Sequence, residues 1–183
     1  MKFLKGCLIV VATLVLIGGA GYLYASSGVK SKPGYAELVM PKGNSVNALV
    51  SVKLGPGGVG PARWVFDKIV ENSDHKIDAE ARVVQDVLAD LNGVQLRVYE
   101  VANNREAFDA AIAESVAALQ AQNWQTLAKV YEDDERVVVM HNGNNTQIDG
   151  VSVMVSTPEN AVFINLIGPF DGQVIADAVS QLH

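Results

Sequence analysis

The sequence predicts an α+β fold: a two-layer sandwich, a mainly antiparallel sheet with helices on one face, preceded by one N-terminal transmembrane helix. Three observations predict it. A charge-free apolar run stands near the start. Residues 46–122 switch between period-two and helical apolar spacing. Residues 124–167 then hold four apolar runs divided by short polar separators, the pattern of strands pairing in sequence.

Lys2 and Lys5 precede a run without charge from Gly6 to Val29. Its apolar centre, Leu8 to Tyr24, has 17 residues, at the lower limit of the roughly 17–25 needed to span a bilayer. Two readings stand side by side. A signal peptide would be cleaved at a small-residue site such as Ala25-Ser26-Ser27. An uncleaved anchor fits the length, and Tyr22 and Tyr24 fit an interfacial aromatic belt. The basic N-terminus favours a cytoplasmic start, with the domain outside, in the periplasm of a bacterial cell. A single-pass inner-membrane protein is therefore expected, bound to the bilayer through residues 8–24. Gly18, Gly19 and Gly21 form a smooth patch against which a second transmembrane helix could pack. Cys7 is the only cysteine, which excludes an intrachain disulfide.

The expected organisation is an anchor over 1–29, a linker over 30–45 and one α+β domain over 46–183. Ser26 to Gly34 is small, polar and proline-bearing, as linkers are. Val46, Ala48, Val50, Val52 and Leu54 alternate with Asn47, Leu49, Ser51 and Lys53, which predicts a strand. Pro61 to Glu71 and a segment from Asp78 to Leu91 have helical apolar spacing. Val94, Leu96 and Val98 give a strand, and Arg105 to Gln122 a long helix. Four strands follow: Trp124–Tyr131, Arg136–His141, Ile148–Ser156 and Ala161–Ile167. Asp171 is placed to cap a last helix with apolar face Val174, Ile175, Ala178, Val179 and Leu182.

The second half carries a resemblance. Asn123-Trp124-Gln125-Thr126-Leu127 opens a strand, an acidic turn and a valine-rich strand follow, and Ile148-Asp149-Gly150-Val151 opens the next. Val162-Phe163-Ile164-Asn165-Leu166-Ile167-Gly168-Pro169-Phe170-Asp171 then leads into the terminal helix. Over about residues 46–183 this resembles the bacterial exported family called domain of unknown function 4252. The resemblance implies a small envelope protein, lipid- or membrane-anchored, with an α+β domain. It implies no catalytic residue and no cofactor.

One motif invites a chemical reading. Gly55-Pro56-Gly57-Gly58-Val59-Gly60 matches G-x-G-x-x-G between a strand and a helix. In a dinucleotide site the third glycine lies within the helix and packs it on the strand. Pro61 follows Gly60 directly and predicts a helix starting after the third glycine. The second parallel strand and its acidic end are missing as well. The loop therefore reads as a flexible connection, or as a place where a partner's backbone comes close through Gly55, Gly57, Gly58 and Gly60.

His75, His141 and His183 show no ligand spacing, so no metal is expected. His141 is expected at a strand end or edge. Glu132-Asp133-Asp134-Glu135 reads as a solvated turn, and Trp64 and Trp124 as core. All 20 acidic residues but only 12 of the 14 basic ones lie from Lys30 onward, which argues against nucleic acid and against adhesion to anionic lipid. The expected function is a non-catalytic, membrane-anchored accessory or scaffold protein without a cofactor, not an enzyme. Its partner would be an envelope protein or a larger membrane complex, respiratory or photosynthetic. The alternative is a processed periplasmic ligand-binding or envelope-stress protein. Behind both stands a nucleotide-binding enzyme using the Gly55–Gly60 loop.

Overall fold

The computed structural model describes residues 30, 32–41, 48–60, 87, 89–101, 104–132, 134–144 and 146–180. Six strands and two long helices make up the described domain. In chain order they are β1 (Ala48–Leu54), β2 (Gly93–Glu100), α1 (Arg105–Gln120), β3 (Gln125–Glu132), β4 (Glu135–Gly143), β5 (Gln147–Ser156), β6 (Asn160–Asp171) and α2 (Gly172–Ser180). The strands form one sheet in the order β1-β2-β6-β5-β4-β3. Every neighbouring pair is antiparallel. The fold is α+β, and the four consecutive strands β3 to β6 pair in sequence as the polar separators predict.

Local chemistry explains the boundaries. Asn144 Oδ1 accepts the N–H groups of Thr146 and Gln147, each at 2.9 Å, and closes the β4–β5 turn. Thr157 Oγ1 accepts the Asn160 N–H at 3.0 Å in the next turn. Asn123 ends α1 with φ of 64°, a left-handed stop that asparagine tolerates. Asp171 Oδ1 accepts the Gln173 N–H at 2.7 Å and caps α2, as expected.

The expectation of helices on one face is corrected. Two core clusters lie on opposite faces of the sheet. Val138, Met140, Met154 and Phe163 pack with Phe108, Ala111, Ile112 and Leu119 of α1. Val137, Val139 and Val151 pack with Ile175 of α2, with Val59 and with Leu91. Successive side chains of a strand point to opposite faces. Val137-Val138-Val139-Met140 is buried throughout, so β4 feeds both layers. A continuous apolar run is the mark of a strand covered on both sides.

Residues 34–40 were expected within the linker, yet Ala36 and Leu38 belong to the core beside α1. This extended strap crosses the sheet where glycines let two backbones meet. A Cβ on Gly150 would collide with the Gly34 carbonyl oxygen, and one on Gly34 with Asp149. Gly34 also has φ of 80°, where L side chains are strained.

Among the described residues no helix is long and apolar enough to cross a membrane. The expected span, residues 8–24, lies outside the described residues, as do the helix expected over 61–71 and most of the one over 78–91.

Candidate functional site

Edge strand β1 organises the surface. Its register shifts between Ala48, opposite Tyr99, and Val50, opposite Val98. Leu49 is thus the extra residue of a β-bulge, a feature that re-aims a side chain. It is 61% exposed, one of two large apolar side chains so open among the described residues. Beside it lies a cleft of about 520 Å³ lined by Leu49, Glu100, Pro158, Glu159 and Asn160. β2 delivers Glu100 at its end. The β5–β6 turn delivers Pro158 and Glu159, and the Glu159 carbonyl accepts the Val101 N–H at 2.9 Å, tying the two walls together. The cleft brings Leu49 and Pro158 together with Glu100, Glu159 and Asn160 in a lining that is more polar than apolar. Chemically it suits an apolar side chain next to a cation, presented by a strand that continues the sheet.

The opposite sheet edge is β3. Its Tyr131 is 62% exposed, with the Arg136 guanidinium 6.0 Å from the ring centre. An internal cation already covers that ring.

The glycine motif sits at the other end of β1. Gly18, Gly19 and Gly21 fall outside the described residues. Pro56 to Gly60 are helical, so a helical segment already begins at Pro56, before the third glycine. The Gly55 carbonyl accepts the N–H groups of Gly58 at 2.9 Å and Val59 at 3.0 Å. Proline favours the first helical position because its missing N–H would have had no partner there. Open space lies where a Cβ would stand at Gly57 and Gly60, so neither glycine is needed for close packing. That geometry departs from a dinucleotide loop, whose third glycine packs its helix against the strand.

His141 is not at an edge. It is 3% exposed within β4, on the face of Val137 and Val139, and its Nδ1 has no hydrogen-bond partner among the described residues. Burial lowers its pKa from the ordinary histidine value. Trp124 is buried in the α1 cluster, as expected, while Trp64, His75 and His183 lie outside the described residues. No group of three or more His, Cys, Asp or Glu that could hold a metal occurs among the described residues.

Beneath the strap a polar row crosses the sheet. The register aligns Lys53, Gln95, Asn165, Ser152 and Met140 across five strands. Asn165 and Ser152 are fully buried. Asn165 reads the strap backbone, and Ser115 of α1 accepts the Val39 N–H at 2.8 Å. Tyr99 donates its hydroxyl hydrogen to Met40 Sδ at 3.1 Å.

Residues 63–178 match the family described as Domain of unknown function (DUF4252). The chain belongs to the DUF4252 family. The match covers more than half of the chain and confirms the resemblance that the second half carries. It includes every described element from β2 to β6, with Glu100 and Glu159 of the cleft, while β1 and the strap precede it. No curated protein and no solved structure matches the chain.

Sequence reasoning missed the bulge. Its signal was present, since Leu49 is an apolar residue on the polar side of an alternating run, between Asn47 and Ser51.

Proposed function

We propose that this DUF4252 chain is a non-catalytic accessory or scaffold protein, held at the membrane by residues 8–24, whose extracytoplasmic domain binds another protein. The β1 edge is the contact. A single observation carries this reading: Leu49 is bulged out of an edge strand and exposed beside a cleft walled by Pro158 and two carboxylates. Proteins normally blunt such edges with charge, proline, a bulge or a covering segment. Here the bulge carries an apolar side chain outward beside the cleft, where a partner's segment can bury it.

The partner segment that fits would add a strand to β1. It would place an apolar residue on Leu49 and Pro158, with a Lys or Arg directed to Glu100 and Glu159. The partner is an envelope protein or a subunit of a larger membrane complex.

The test is purification of the tagged full-length chain from native membranes in mild detergent, with intact-mass measurement. The expected result is an uncleaved chain with one companion in near-stoichiometric amount, lost when residues 1–27 are removed. A chain shortened near Ser27, or a full-length chain without a companion, overturns the proposal.

A further inference from the structure

Two cations stand side by side on the strap side of the sheet in a chain that is acidic overall. Lys53 stands opposite Gln95, and Ser51 stands opposite Arg97. Lys53 and Arg97 are therefore diagonal neighbours on one face of β1 and β2, a separation of roughly 7–8 Å. The Lys53 ammonium lies 5.3 Å from the centre of the Tyr35 ring, which holds it over the strap. Its pKa is lowered from the ordinary lysine value, first by burial and then by the positive charges of Lys30 and Arg97.

Like charges this close repel one another. The chain has 20 carboxylates against 14 Lys and Arg, yet the ion pairs among the described residues engage Arg105 and Arg136 with Asp109 and neither of these two cations. Two neighbouring cations without an ion pair among the described residues keep positive potential at one place for an anion from outside.

We propose that Lys53 and Arg97 form a binding site for a phosphate group, borne by an anionic lipid headgroup or free in solution, with Tyr35 positioning Lys53. Arg97 supplies a planar fork that can take two phosphate oxygens, while Lys53 acts as a point charge. Binding removes the repulsion between the two and so stabilises the fold. This site lies on a face of the sheet, apart from the Leu49 cleft, and stands without the protein-partner reading.

The test uses the full-length chain in neutral detergent. Thermal unfolding and calorimetry are followed with inorganic phosphate, with sodium chloride at matched ionic strength, and with phosphatidylglycerol in mixed micelles. The expected result is a phosphate-dependent rise in melting temperature that chloride does not reproduce. The K53Q/R97Q variant should bind at least tenfold more weakly, while Lys129→Gln on β3 should bind as the wild type does. Phosphatidylglycerol binding at least tenfold tighter than phosphate identifies a lipid headgroup, and similar or weaker binding identifies free phosphate. Chloride acting as well as phosphate, no response to either probe, or undiminished binding by K53Q/R97Q overturns the site. Removing two like charges relieves repulsion, so the double variant should melt no lower than the wild type without phosphate.

Discussion

Asn165 grips the backbone on either side of Tyr35: its Oδ1 accepts the Ala36 N–H at 2.9 Å, and its Nδ2 donates to the Gly34 carbonyl at 3.1 Å. Both bonds are buried, and they span more than 120 residues of sequence. They fasten the strap to the longest strand of the sheet.

Asn165→Leu keeps much of the side-chain volume but leaves a buried N–H and a buried carbonyl without Asn165. Each orphaned buried group costs about 1–3 kcal/mol. The variant should lose about 2–4 kcal/mol in urea unfolding. Ser156 gives the contrasting case, because its Oγ is buried and has no hydrogen-bond partner among the described residues. Ser156→Ala removes an unsatisfied group and should leave stability unchanged or raise it by up to about 1 kcal/mol. The two midpoints should move in opposite directions or differ by at least the Asn165 loss.

Gly150→Ala tests the backbone crossing. The new Cβ would meet the Gly34 carbonyl oxygen, and neither is the far end of a flexible side chain. The strap must lift, at a cost of about 1–3 kcal/mol or more. Gly57→Ala meets open space and sits in a helical turn, so it should be neutral or stabilising by up to about 1 kcal/mol. Chemical denaturation of the two variants separates a packing glycine from a permissive one.

His141 should make stability depend on pH. Burial lowers its pKa in the folded chain below the unfolded value of about 6.5. Between those two values the unfolded chain binds more protons. Stability is therefore fully present above pH about 6.5 and is lost as pH falls towards the folded pKa, with a slope of up to about 1.4 kcal/mol per pH unit. Subtracting the pH profile of His141→Gln from that of the wild type isolates this contribution. Melting curves from pH 7.5 to 5 should show the wild type losing stability relative to the variant as pH falls.

Leu49→Lys should not disturb the fold. The side chain is 61% exposed, and surface changes of this kind stay within about 0.5 kcal/mol. A charge on an edge strand also discourages strand addition. The variant should melt with the wild type.

Much of the sheet was legible. Asn142-Gly143-Asn144-Asn145 and Thr157-Pro158-Glu159-Asn160 are turn chemistry, and they delimit β4, β5 and β6 closely. Asp171 announced α2 because a capping carboxylate acts within two residues. The second covered face was harder to see. Val137-Val138-Val139-Met140 has no polar side to betray one exposed face, and an apolar run predicts a strand without saying how many layers it feeds. The strap hid behind composition: Lys32-Pro33-Gly34 reads as linker, although Gly34, Ala36, Leu38 and Met40 alternate. The site was least legible. Leu49 meets Glu100 and Glu159, and Lys53 meets Arg97, only after β1 pairs with β2 and the β5–β6 turn reaches the same end. Net charge concealed the pairing of Lys53 with Arg97, because a sum over the chain says nothing about where charges gather.

The most direct test of the partner-binding account is quantitative copurification from native membranes with Leu49→Lys and, as a matched control, Tyr131→Lys on the opposite edge. The account predicts a near-stoichiometric companion with the wild type and with Tyr131→Lys, reduced at least tenfold with Leu49→Lys. Equal recovery of the companion with all three chains, or no companion with any of them, would contradict it.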